Sequence, residues 1–129
     1  MRTIEEVREM FLHDRFATEN GAVIEEIGEH RAKCSMRLAE HHKNAMGAVM
    51  GGASYTLADF AFAVAANWAD PGVVSVSAGI DFLGTAKGER LIAEAVCIKA
   101  GRTTEFYQVD VRDELGTAVA VVHTVGHRV

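Results

Sequence analysis

Residues 44–68, NAMGAVMGGASYTLADFAFAVAANW, decide the fold. Gly51 and Gly52 open a run that is almost wholly apolar, and one carboxylate, Asp59, stands in its middle. The run predicts a helix from about Gly51 to Asn67, with Ala, Leu, Phe or Val on nearly every face. It stops at NWADPG, where Pro71 and Gly72 forbid continuation. A helix apolar all round has to be covered on most sides. The rest of the chain must supply that cover.

Downstream lie four strand-like segments: VVSVSAGIDFL, RLIAEAVCIK, TEFYQVDVR and TAVAVVHTV. The first alternates Val74, Val76, Ala78, Ile80 and Phe82 against Ser75, Ser77, Gly79 and Asp81. Turn-like GTAKGE, AGRTT and DELG separate the four. Upstream, Thr3 and Glu6 have the spacing of a capping box, and Ile4, Val7 and Phe11 repeat at helical spacing, so residues 3–12 predict a short amphipathic helix. AVIEEI and RAKCSMRL then read as strands of a hairpin turning near Gly28. In the second, Ala32, Cys34, Met36 and Leu38 face one way, while Arg31, Lys33, Ser35 and Arg37 face the other. Residues 39–50 have no clean period and read as a loop. The order is helix, two strands, long helix, four strands. One antiparallel sheet curling around one central helix satisfies it, in a single α+β domain over 1–129, with a partner subunit covering what remains of the helix.

The totals agree. The chain has 129 residues, 49% hydrophobic and 24% charged, with a net charge of −5. Its 13 basic residues are scattered, which argues against a nucleic-acid binder. Cys34 and Cys97 lie far apart, without CxxC spacing, and read as reduced core residues. The N-terminal MRTIEEVREM is acidic and amphipathic, unlike a signal peptide, and LADFAFAVAA is too short to span a bilayer, so a cytoplasmic protein without membrane or nucleic-acid partners is expected. No metal is required: His123 and His127 are four apart but in a strand and tail rather than on a helical HExxH face. A G-x-S-x-G elbow is missing as well.

An apolar setting of Tyr55, Phe60, Phe62 and Ala63 would raise the carboxyl pKa of Asp59 and make it a better base. A structural reading stays open beside this one: a carboxylate on a thin exposed stripe, or one bonded to a backbone amide. Gly51 and Gly52 suit a tight turn into a helix, and equally suit a helix start whose free N–H groups a ligand oxygen approaches closely. Eight residues of helix separate Gly51 from Asp59 by about 12 Å. One reacting carbonyl cannot lie about 3 Å from both. Two antiparallel copies of the helix across a two-fold axis can bring Gly51 of one chain to Asp59 of the other. If both act on one substrate, the protein is a dimer with composite sites.

Asn44-x-x-Gly47-x-x-Met50-Gly51-Gly52, followed by Leu57-x-Asp59, resembles the signature of the hotdog-fold acyl-CoA thioesterases of the PaaI-like, phenylacetate-degradation group. The likeness extends through SVSAGIDFL and AGRTTEF along nearly the whole chain. It implies that the Gly51 N–H binds the thioester oxygen and that Asp59 of the neighbouring subunit acts as general base or nucleophile. Asn44 would orient substrate or water, and Ser75 or Ser77 would hold the attacking water. Met50, Gly52 and the turn residues Arg102 and Thr103 would contact substrate, with Arg102 on a coenzyme A phosphate. No cofactor beyond the coenzyme A thioester itself is implied, and the expected assembly is a dimer of dimers. Ser75 and Ser77 also read as outward polar residues of a strand, and Arg102 as a solvated turn residue.

Where that group carries histidine, this chain carries Met50, whose thioether cannot donate a hydrogen bond. His41 and His42 stand on the same loop and read either as solvated or as substitutes. The expected activity is hydrolysis of a small, aromatic or medium-chain acyl-CoA. The alternative is a non-catalytic acyl-CoA-binding hotdog protein. A hotdog hydratase ranks below both, because the histidine expected five residues after the Asp is Val64.

Overall fold

The computed structural model describes residues 1–129. Thr3 caps α1 (Ile4–Phe11) as its sequence predicts: its Oγ1 accepts from the Glu6 N–H, and Glu6 Oε1 accepts from the Thr3 N–H at 2.9 Å. A five-residue helix that periodicity did not predict, α2 (Arg15–Glu19), leads into β1 (Ala22–Gly28). β1 and β2 (Arg31–Arg37) form the expected hairpin. Its turn at Glu29 and His30 sets His30 at φ 52°, the left-handed region.

The helix α3 (Gly51–Asn67) has the predicted bounds. Asn67 latches its end to the next strand: Nδ2 donates to the carbonyls of Ala63 and Val73, and Oδ1 accepts from the N–H groups of Gly72 and Val73 at 2.8 Å. Then follow β3 (Val73–Phe82), β4 (Arg90–Ala100), β5 (Thr104–Asp113) and β6 (Ala118–Arg128). All pair antiparallel in one sheet of order β1-β2-β4-β5-β6-β3, which curls around α3 as expected.

Small residues let the helix lie close to the sheet. Ala58, Ala61 and Ala65 on α3 face a concave floor that includes Ala32, Ala93, Ala95 and Ala120. At Gly126 an added Cβ would stand 2.7 Å from Val73 and 3.1 Å from the Phe62 ring, so the fold demands glycine there. Leu57 and Val64 are fully buried in the same core, where truncating such a leucine to alanine costs about 2–5 kcal/mol.

The sequence reading needs correction at two points. Cys97 is only partly buried, whereas Cys34 is wholly inside. The alternation read for residues 74–82 breaks at Val76, where a bulge shifts the register between Ser75 and Ser77. Directly paired residues share a face of the sheet. Ser75 pairs with buried Gly126 and so stands on the helix side, with Ala78, Ile80 and Phe82 resuming that face beyond the bulge. Val74 and Ser77 stand on the opposite side, paired with His127 and Val125. β3 is also an edge strand, and most of it is exposed.

Candidate active site

The loop before α3 is built more tightly than its lack of period suggests. Residues Glu40–His42 make one 3-10 turn, and the chain crosses itself at a bridge between Lys43 and Val49. His42 is buried. The Ala39 N–H donates to its Nδ1 at 2.9 Å, so the proton sits on Nε2, which donates to the Asn20 carbonyl at 2.7 Å. The His42 carbonyl in turn accepts from the Met50 N–H. His42 is thus a strut of the loop, and His41 stacks on it with ring centroids 4.1 Å apart. Asn44 Oδ1 accepts from the N–H groups of Met46 and Ala48 at 2.9 and 3.1 Å. Its carbonyl is committed to the turn, which leaves the exposed Nδ2 as its outward-facing donor.

Met50 stands at the N-cap of α3 with extended backbone and offers no side-chain cap. Neither the Gly51 nor the Gly52 N–H is donated to any acceptor in the chain. A Ser or Asp at that cap would have claimed one of the open donors of the first turn; methionine leaves them to an approaching oxygen. Over Gly51 lies the ring of Phe82 from the end of β3: an added Cβ would stand 2.6 Å from its Cζ. A Cβ on Gly52 would meet the Met50 Cε at 3.2 Å. Gly51 therefore has a close-packing reason beside its open N–H, whereas at Gly52 the Met50 methyl is the flexible end of an exposed side chain.

Most of α3 is covered, and the exception is a stripe that runs through Gly52, Tyr55, Thr56, Asp59 and Ala63. These positions follow helical spacing and face away from the sheet. Two clefts open along the stripe. One, of about 160 Å³, is lined by Met50, Gly52, Thr56, His41 and Phe16 among others. The second, of about 460 Å³, is lined by Asp59, Tyr55, Thr56 and Ala63 of α3 and by residues 14–17. Phe16 of α2, itself 75% exposed, stands between them and borders both.

Burial raises the Asp59 pKa above the ordinary carboxylate value, and the negative charge of Asp14 raises it further. The Tyr55 hydroxyl is also pushed up, by burial and then by Asp59. A half-buried carboxylate of this kind holds a proton at higher pH than a solvated one and is correspondingly more basic when ionised. The groove thus offers two open amide donors at one end and a carboxylate base about 12 Å along the helix.

The remaining sequence candidates lie elsewhere in the single chain. Arg102 and Thr103 sit in the β4–β5 turn, where the Thr103 carbonyl accepts from the Arg128 N–H at the C-terminal end of α3. Gly51 is at the other end of that helix, about 25 Å away along its axis. Ser75 lies near the same far end, on the helix face, and Ser77 on the outer face. One chain therefore brings together Met50, Gly51 and Gly52, and sets Asp59 further along the same groove, but it leaves Ser75, Ser77, Arg102 and Thr103 apart from the glycines. Asp14, Phe16 and the seat of Phe82 on Gly51 escaped the sequence reading, since each is a long-range contact that no local pattern announces.

The model of the Thioesterase superfamily matches residues 46–120, more than half of the chain and the part that carries the groove. A protein of Archaeoglobus fulgidus, named only in general terms as an esterase, is 30% identical over 128 residues, 98% of this chain and 83% of that one. Human acyl-coenzyme A thioesterase 13 is 34% identical over 84 residues, 63% of this chain and 60% of its own length. Among solved structures, a variant of the phenylacetic acid degradation protein PaaI of Thermus thermophilus superposes with a TM-score of 0.82 at 30% identity, over 88% of this chain and 98% of that one.

Proposed function

The chain belongs to the Thioesterase superfamily and is a thioester hydrolase with the hotdog fold, and from that premise we propose that its substrate is an acyl-coenzyme A carrying a small, aromatic or medium-chain acyl group. The observation that carries the proposal is the open stripe of α3, with undonated Gly51 and Gly52 N–H groups at its start and the raised Asp59 carboxyl further along. The name of human acyl-coenzyme A thioesterase 13 supports the coenzyme A ester. The larger cleft, of about 460 Å³, falls within the range of small-molecule sites.

In this reading the thioester carbonyl oxygen accepts from the Gly51 N–H, where the positive end of α3 also stabilises developing negative charge. Asp59 takes a proton from water as the water oxygen bonds to the carbonyl carbon. Collapse of the tetrahedral intermediate expels the thiolate, which recovers the proton from Asp59, giving free acid and coenzyme A. Asn44 orients substrate or water through Nδ2, and Met50 and Gly52 border the thioester. Because 12 Å separates Gly51 from Asp59 within one helix, the two meet on one substrate only if each comes from a different subunit. The unpaired edge of β3 supports such a homodimer. It exposes Val74, Val76 and Phe82, whereas the opposite edge is blunted by Arg8 of α1, whose Nε donates to the Ile24 carbonyl at 2.9 Å. A two-fold through β3 would carry Ser75, Arg102 and Thr103 toward the partner's glycines, with Arg102 as the phosphate contact, while Ser77 stays on the outer face of the sheet. Two such dimers would form the tetramer.

The test is free-thiol release from coenzyme A esters of short, aromatic and longer acids, with wild type beside Asp59→Asn. Loss of about 10²–10⁴-fold in the variant supports the reading and identifies the acyl class. If release from every ester is equally low in both proteins while both retain the ester, acyl-coenzyme A is a ligand held rather than cleaved, and the proposal fails.

A further inference from the structure

We propose that Asp14, at the head of α2, is a positioning residue for Asp59: the two carboxylates line one cavity, and the charge of Asp14 keeps the Asp59 carboxyl ready to accept a proton. This rests on the reading of Asp59 as the general base. An aspartate before a helix ordinarily spends its side chain on the helix's first N–H groups. Asp14 holds the N-cap position of α2 with φ −79° and ψ 72°, and its side chain makes no capping bond. Only its backbone is engaged: the N–H donates to the Phe11 carbonyl, and the carbonyl accepts from the Thr18 N–H and Thr18 Oγ1. The carboxylate has no hydrogen-bond or ion-pair partner and borders the 460 Å³ cavity with Asp59, Tyr55, Thr56 and Ala63.

The other charged and titratable groups around that cavity do not cancel it. Arg15 lines the same space but is bound to Glu19 one turn on. Tyr55 is neutral, with its hydroxyl pushed up. His41 and His42 border only the adjoining cleft beyond Phe16, and His42 is fully engaged in the loop. From the sheet, β2 and β4 present Ala32, Met36, Leu91, Ala93 and Ala95 to this part of the helix, together with Cys34, whose thiol burial pushes up to about 12. Burial raises the Asp14 carboxyl as well, but Asp14 is the more exposed of the two acids, and only Asp59 carries the added push of its neighbour's charge.

The experiment is the pH dependence of kcat/KM for wild type, Asp14→Asn, Asp14→Glu and Asp59→Asn, alongside carbon-13 NMR titration of the Asp59 carboxyl in the first three. The expected result is an acid limb, and an Asp59 titration midpoint, displaced to lower pH in Asp14→Asn and restored in Asp14→Glu. A merely structural Asp14 would lower activity without moving either midpoint. If Asp59→Asn is inactive while Asp14→Asn titrates as wild type does, the proposal is overturned and the role of Asp59 stands. If Asp59→Asn retains full activity, both fall. Should Asp14→Asn hydrolyse too slowly for a profile, the NMR midpoint alone decides.

Discussion

A carboxylate set into an apolar helix is a poor residue for stability, and Asp59 shows the sign of the conflict. Its carboxyl pKa in the folded chain is raised, first by burial and then by Asp14. The folded state therefore binds this proton more tightly than the unfolded chain does. Its ionisation costs stability progressively as pH rises from the unfolded carboxylate value through the folded one, and the full cost applies above both. Asp59→Asn is expected to raise Tm at neutral pH while abolishing thiol release, with the gain in Tm vanishing at pH values where both carboxyls are protonated. Thermal melts across pH check it, and an unchanged or lower Tm at pH 7 contradicts it. Met50 sits on the other side of the same trade. Because a thioether donates nothing, Met50→His adds an N–H beside the open Gly51 and Gly52 amides. It is expected to raise kcat with little change in KM, as a donor engaged mainly in the transition state does. At this scale the sequence told a good deal. Thr3 with Glu6 marks a helix start, and a lone acid in an apolar helix marks a candidate by its cost. Asn44 was half legible, since its spacing pointed to the site but could not show that Oδ1 would be occupied by Met46 and Ala48.

Elements were legible where one rule governs them and illegible where a neighbour decides. The bounds of α3 follow from paired glycines at one end and Asn67, Pro71 and Gly72 at the other. The bulge at Val76 has no such mark: VVSVSAG alternates without a break, and only pairing against Gly126 and Val125 shows that Ser75 and Ser77 lie on opposite faces. The five-residue α2 was too short to show a period, yet it carries Phe16 into the wall between the two clefts. Phe16→Ala joins them, and the expected outcome is a rise in KM for the best acyl group with relative gains for bulkier ones, read across the ester panel. The β3–β4 connection depends on one buried acid. Asp113 Oδ2 accepts from the Lys87 and Gly88 N–H groups and Oδ1 from those of Leu115 and Thr117, at 2.8–3.0 Å. Burial pushes its pKa up, but those amides overrule it and hold the carboxyl well below the usual range. Its stabilisation is complete above the unfolded carboxylate value and is lost as pH falls toward the depressed folded one. Asp113→Asn replaces one acceptor with a donor aimed at backbone N–H groups. It is expected to lower Tm at neutral pH and to flatten the acid side of the stability profile, both visible in melts from pH 7 down to about pH 2, below the unfolded carboxylate value.

The whole molecule is one sheet folded round one helix, and its two edges are treated differently. At β1 the edge is closed by the Arg8 side chain, while at β3 a long exposed strand is left with its outer hydrogen-bonding groups free beyond Val73. An open apolar edge of that length invites a second strand. In the proposed reading the separation of Gly51 from Asp59 makes the same demand, because about 12 Å of helix keeps the two from sharing one substrate within a chain. If the sites are composite, two inactive variants repair each other. In a dimer of one Asp59→Asn chain with one Gly51→Val chain, one site carries both lesions and the other carries neither. Mixed at equal amounts by co-expression, half of the dimers are hybrids with one intact site of two, and about a quarter of wild-type activity should return. Gly51→Val alone has to displace the Phe82 ring that rests on the glycine, so its own folding is verified first by its melt and its elution volume. Activity that returns near a quarter in the hybrid, and not on simple mixing of preformed homodimers, places the two residues on different subunits. Hybrids that form and stay inactive put Gly51 and Asp59 in the same chain's site, and the composite assembly is then wrong even if the hydrolysis is right.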